Sequence, residues 1–140
     1  MVEFPDGTRV HGRGLRRPRP DGPAPDFGLY LGTSKLRRKH GGAITWPHEW
    51  VTWPDFLLPT QPADARRKIK ALHERAKTQT VEVACYGGAG RTGTVMACLA
   101  ILSGVPADRA VAWTREHYHE RAVETPWQRG WVKSFAKQLD

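Results

Sequence analysis

Val81-Glu82-Val83-Ala84-Cys85-Tyr86-Gly87-Gly88-Ala89-Gly90-Arg91-Thr92-Gly93-Thr94 carries the chain's clearest local pattern, strand then glycine turn then helix. A short β-favouring run ends at Cys85, a glycine-rich turn follows to Arg91, and residues 92–103 read as an apolar helix that stops at Gly104. Glycines in such a turn tolerate unusual dihedrals and allow close approach, so several backbone N–H groups can point into one concavity. The following helix adds its own free N–H groups and the positive end of its dipole. The expected product is an anion site of phosphate size. Cys85 stands at its mouth, where those donors favour the thiolate over the thiol. Arg91 closes the turn, and its planar fork can take two oxygens of one anion, which a lysine cannot. Thr92 is placed to give its hydroxyl to the sulfur. A plain glycine turn beside a buried cysteine is the bland alternative; it leaves Arg91 without an anion to neutralise.

Working outward, residues 62–77 form a helix with Ala65, Ile69, Leu72 and Ala76 on one face, Thr60 as its N-cap and Pro62 in its first turn. Ahead of it, the stretch 41–59 holds three tryptophans and three prolines, with short strands expected at 44–46 and 50–52. Residues 27–31 read as a strand, and 35–40 as a basic turn or short helix with no assigned place. Pro106 opens a further helix carrying Ala107, Ala110, Val111 and Thr114, and Thr125-Pro126 opens the last, with Trp127, Trp131, Phe135 and Leu139 at helical spacing. Residues 1–26 are rich in Pro, Gly and Arg, with a hairpin signal at Pro5-Asp6-Gly7 and four prolines between 17 and 25. The order predicts one compact α/β domain over 27–140, with a small, mostly parallel central sheet flanked by helices and the phosphate loop between the central strand and a helix. The segment 1–26 is expected to lie outside it.

The chain's 140 residues fit a single domain. Its longest apolar run, 95–102, is too short for a bilayer, and no basic-then-apolar leader opens the sequence, so a cytoplasmic protein is expected. The two cysteines, Cys85 and Cys98, are expected as reduced thiols. A net charge of +8 favours anionic partners, but no recognition helix or zinc finger accompanies it, which disfavours nucleic acid. His48, His73, His117 and His119 lack metal-ligand spacing, so no metal and no cofactor is expected.

The loop resembles the protein tyrosine phosphatase superfamily, whose tighter signature reads C-x-x-G-x-G-R-(S/T)-G; Cys85, Gly88, Gly90, Arg91, Thr92 and Gly93 match every fixed position. Ala84 stands where the family usually has His. The resemblance implies that Cys85 is the nucleophile, Arg91 the phosphate clamp, and Tyr86, Gly87, Gly88, Ala89 and Gly90 the phosphate-binding loop. Trp53-Pro54-Asp55-Phe56-Leu57-Leu58-Pro59 is similar to the family's mobile acid loop, W-P-D-x-G-x-P, with Leu57 in place of the glycine. It implies that Asp55 is the general acid, in a loop anchored by Trp53 and Pro54. Gln128 is placed either to orient the hydrolytic water, as in the family, or to complete a capping box with Thr125. The implied activity is removal of phosphate through a phosphocysteine, from protein phosphotyrosine first and phosphoserine or phosphothreonine second, by a monomer acting away from membranes. An RNA 5′-phosphatase and a phosphate-binding module of weak turnover are the other readings.

Overall fold

The computed structural model describes residues 1–139. Five strands form one sheet in the order β1-β2-β5-β3-β4: β1 (Val2–Glu3), β2 (Arg9–Gly14), β3 (Phe27–Gly32), β4 (His48–Thr52) and β5 (Val81–Cys85). β5 lies at the centre, parallel to β2 and β3, and β3 is parallel to β4; only the two-residue edge strand β1 runs antiparallel. A single α/β domain with a mostly parallel sheet results. Residues 2–14 complete that sheet and do not stand apart from it: Val10 to Gly14 pair with Val81 to Cys85. The hairpin signal at Pro5-Asp6-Gly7 joins β1 to β2.

Side chains of β5 alternate between faces. Val81, Val83 and Cys85 face the main core with Leu29, Leu31, Ile69, Leu72, Val95, Leu99 and Phe135. This face is covered by α2 (Pro62–Ala76), α3 (Gly90–Leu102), α4 (Ala110–His117) and α5 (Pro126–Lys137). α3 is the most deeply placed helix, with every residue from Gly90 to Ala100 buried. That explains its apolar composition all round, the pattern of an interior helix.

The other face is thinner. Ala84 packs there with Leu15, Tyr30 and Ile44, under Leu36, Trp46 and Trp50. Leu36 comes from α1 (Ser34–His40), the short basic helix that sequence left unplaced. Glu82 is also on this face and is 4% exposed. Its carboxylate accepts from Arg13 Nε at 2.6 Å and from the Tyr30 hydroxyl at 2.7 Å, and Trp46 Nε1 donates to the same hydroxyl at 2.7 Å. A charge this deep is tolerable only when so paired. Burial, then the neighbouring Glu82, pushes the Tyr30 phenol up, so it remains a donor.

Three expectations shift. The run 44–46 is not a strand; a 3-10 turn at Gly41–Ala43 precedes it, and Ile44 fills the second core. Thr60 does not cap α2; its N–H and hydroxyl bond back to Thr52 O at 3.1 and 3.4 Å, and Gln61 takes the N-cap position. The fourth helix begins at Ala110, because Pro106 to Arg109 form a turn closed by Arg109 N–H to Pro106 O at 2.9 Å.

Candidate active site

Cys85 is the last residue of β5, free and 2% exposed. The loop after it is shaped by where its carbonyls go. Cys85 O accepts from Leu15 N at 2.8 Å and Tyr86 O from Arg16 N at 3.1 Å, both from the chain just beyond β2. Gly88 O accepts from the Tyr118 hydroxyl, and Ala89 O from Gly93 N at 2.8 Å inside α3. No peptide bond is cis. In a trans peptide the N–H points opposite to the C=O. Tying these four carbonyls outward therefore turns the N–H groups of Tyr86, Gly87, Ala89 and Gly90 inward. Among the described residues none of these four amides has a hydrogen-bond acceptor. The Gly88 amide does: it donates to Cys85 Sγ at 3.1 Å. Gly88 has φ +83, and a Cβ added there would meet Gly14 N at 2.6 Å and Arg13 C at 2.8 Å, so no side chain fits.

Arg91 sits in the first turn of α3, 4% exposed. One terminal nitrogen donates to Trp53 O at 2.9 Å and lies 3.4 Å from Leu31 O. Its Nε is buried without a hydrogen-bond partner, 3.5 Å from Asp55 Oδ1. Thr92 Oγ1 is likewise buried and unpartnered. The expected bond from Thr92 to the sulfur is not made; the sulfur accepts from the Gly88 amide.

Asp55 lies over Arg91 with its side chain 53% exposed. The acid loop rests on α5. Trp53 is fully buried, packs on Trp131 with ring centroids 5.4 Å apart, and donates its Nε1 to Leu57 O at 2.8 Å. Trp127 Nε1 donates to Phe56 O. The left-handed residue of the loop is Phe56, at φ +61, and not Leu57, so leucine in place of the family glycine meets no backbone conflict. Gln128 is fully buried. Its Nε2 donates to Leu57 O at 3.2 Å and its Oε1 accepts from Glu124 N at 3.0 Å. Its own N–H meets Thr125 Oγ1 at 3.1 Å, which is half of a capping box. The other half reaches one residue further back than the N-cap. Gln128 thus stands as a strut between α5 and the acid loop.

The structure brings Cys85, Arg91, Asp55 and the loop 86–90 together. A cleft of about 460 Å³ opens beside them, onto Asp55, Tyr86 and Arg91, and is also lined by Thr33, Lys35, Leu36 and Lys39. Sequence reasoning missed Tyr118, the anchors at Leu15 and Arg16, and the lysines of α1; none lies in a recognisable motif. No helix of the described residues is long and apolar enough to cross a membrane. Burial raises the Cys98 thiol well above its ordinary value, which keeps it a protonated core residue. No group of three or more His, Cys, Asp or Glu among the described residues is placed to hold a metal ion.

Two uncharacterized proteins of Methanocaldococcus jannaschii, MJ0215 and MJECL20, are 44% and 47% identical to 65% and 66% of this chain. The chain spans 56% and 61% of their lengths, a little over half. Among solved structures, Tk-PTP in its active form aligns with 98% of this chain and 97% of its own at TM-score 0.68 and 22% identity. Kinase associated phosphatase aligns with 80% of this chain and 69% of its own at TM-score 0.66 and 18% identity. PTPMT1, in complex with PI(5)P, aligns with 81% of this chain and 77% of its own at 0.64 and 20%. At such identities these three show the fold, which is that of the small dual-specificity phosphatases. The family model for the Swiss Army Knife proteins with a DSP-PTPase phosphatase domain, PTP-SAK, matches residues 58–136. The chain therefore belongs to that family, within the protein tyrosine phosphatase superfamily.

Proposed function

We propose that this phosphatase-family chain hydrolyses phosphomonoesters through a phosphocysteine on Cys85, with protein phosphotyrosine as substrate. The observation that carries the reading is the set of donors left without a hydrogen-bond acceptor beside one sulfur: the four loop amides and Thr92 Oγ1, with Arg91 Nε 3.5 Å from Asp55 Oδ1. The Tyr86 and Gly87 amides lie on exposed residues, whereas Gly90 and Thr92 are buried, and a buried donor without a partner is costly unless a ligand accepts from it. Three phosphoryl oxygens would use this set.

In the first step the Cys85 thiolate attacks phosphorus, an S–P bond forms, and the bond to the tyrosyl oxygen breaks. Asp55, in its protonated form, gives its proton to that leaving oxygen. The loop amides and Arg91 hold the equatorial oxygens as charge spreads over them. In the second step Asp55, now a carboxylate, takes a proton from water as the water attacks phosphorus. The S–P bond breaks, inorganic phosphate leaves, and the thiolate returns. The half-exposed Asp55 carboxylate beside the cleft suits both transfers. The test is hydrolysis of p-nitrophenyl phosphate with EDTA present. Turnover that is abolished in Cys85→Ser and reduced about 10²-fold or more in Asp55→Ala supports the reading. Undiminished turnover in Cys85→Ser would sink it.

A further inference from the structure

From the cleft that holds Arg91 we infer that the site carries a second anion subsite, formed by Lys35 and Lys39 of α1 with the Thr33 hydroxyl, for an acidic or second phosphorylated side chain flanking the phosphotyrosine. The inference rests on the phosphatase reading of the same site. α1 reads Ser-Lys-Leu-Arg-Arg-Lys-His and has no acidic residue in its first turn. Among the described residues Lys35, Arg37, Arg38 and Lys39 make no ion pair. Like charges on neighbouring turns of so short a helix repel, and the helix's negative C-terminal end offsets this only in part. Such an arrangement leaves these cations free to meet an external anion.

Lys35 and Lys39 are four residues apart and therefore share one helix face. Both line the cleft that contains Arg91, Asp55 and Tyr86. Thr33 lines it too, and as the N-cap of α1 it makes no side-chain cap bond, so its hydroxyl is available. The scissile phosphate is already served by Arg91 and the loop amides. The two ammonium groups thus address negative charge elsewhere on the substrate.

The aromatic and apolar groups beside the lysines indicate what carries that charge. Tyr86 and Leu36 line the same cleft, and Tyr86 is 42% exposed. Phe56, next to the cleft-lining Asp55 in the acid loop, is 53% exposed and holds a strained φ of +61. An exposed aromatic side chain with a basic wall matches an aryl phosphate set in an acidic peptide. A sugar or polyol bisphosphate would use the lysines and leave the aromatic groups idle.

The experiment is binding of phosphotyrosine peptides to the Cys85→Ser protein, by fluorescence anisotropy. Three peptides are compared: glutamate-flanked, glutamine-flanked, and one with a second phosphotyrosine. The glutamate and doubly phosphorylated peptides are expected to bind about tenfold or more tightly than the glutamine peptide, a gap of about 1.4 kcal/mol. That ratio should approach one when Lys35→Ala/Lys39→Ala is added, and invert with Lys35→Glu/Lys39→Glu. Removal of the same charge from α2 and its C-cap, by Lys70→Ala/Lys77→Ala, should leave it unchanged. The two acidic peptides separate a carboxylate subsite from a phosphate subsite. An equal ratio with and without the α1 lysines, an equal loss in the α2 control, or tighter binding of an inositol bisphosphate than of every peptide would each overturn the proposal. Binding to Cys85→Ser requires no turnover, so a flat p-nitrophenyl phosphate assay would fell the phosphatase reading and leave this result readable.

Discussion

Tyr118 illustrates how a single hydroxyl can set a loop. Its bond to Gly88 O turns the Ala89 amide toward the anion site, in the peptide that follows the Gly88 amide donating to the sulfur. Burial, then the charge on Cys85, pushes the Tyr118 phenol upward, so it stays protonated and donating through the neutral range. Ala84, where the family has histidine, is fully buried among apolar neighbours and gives the loop no polar support. Tyr118 supplies support from the other side. Tyr118→Phe keeps the ring and deletes the bond. The expected outcome is a several-fold slower alkylation of Cys85 by iodoacetamide at neutral pH, with the far-UV spectrum unchanged. An unaltered alkylation rate would show that the loop holds its shape without this hydroxyl.

At the scale of elements, the phosphate loop is as much a product of β2 as of β5 and α3. An added Cβ at Gly14 would meet Gly87 C and O at 2.7 Å, which are backbone atoms that cannot swing aside. Gly14→Ala is therefore expected to move the loop, costing about 1–3 kcal/mol in thermal or urea unfolding and about 10²-fold or more in kcat/KM. Wild-type kcat/KM in that variant would mean that the β2 contact does not shape the site. This contact also explains what was legible in the sequence. Cys85 to Gly93 and Trp53 to Pro59 are local patterns, and a strand, turn and helix in direct succession can be read from spacing alone. The pairing of Val10 to Gly14 with Val81 to Cys85 joins segments some seventy residues apart, and nothing near Gly14 announces it. Gln128 was ambiguous for a related reason: its local capping pattern was visible, while its bond to Leu57 O is a long-range contact. α1 is too short for periodicity to define a face.

Across the whole molecule, the edge hairpin is tied to the helical layer by a hydrogen bond between the Asp6 carboxylate and the His73 imidazole. Asp6 Oδ2 lies 2.7 Å from His73 Nε2, and His73 is buried on α2. Burial pushes the Asp6 carboxyl up, but hydrogen bonds from Thr8, with His73 adding to them, bring it from 3.8 down to about 2. A carboxyl held low when folded contributes stability that is complete above its unfolded value and lost as pH falls through the folded value. With the side chain 28% exposed, the contribution is on the order of 1 kcal/mol. Unfolding followed between pH 5 and pH 2 should show the wild type losing this margin below about pH 4. Asp6→Asn should start lower by the same amount and decline less over that range; parallel decline of the two would contradict the assignment.

The claim that unites these scales is that the ring of outward-tied carbonyls makes Cys85 the acceptor of a transferred phosphoryl group. Rapid acid quench of the protein during turnover of p-nitrophenyl phosphate, followed by peptide mass spectrometry, tests it directly. The account predicts one phosphoryl group on the peptide containing Cys85, accumulating further when Asp55 or its loop is impaired and absent in Cys85→Ser. Turnover without any covalent phosphate, or with the phosphate on another residue, would contradict it.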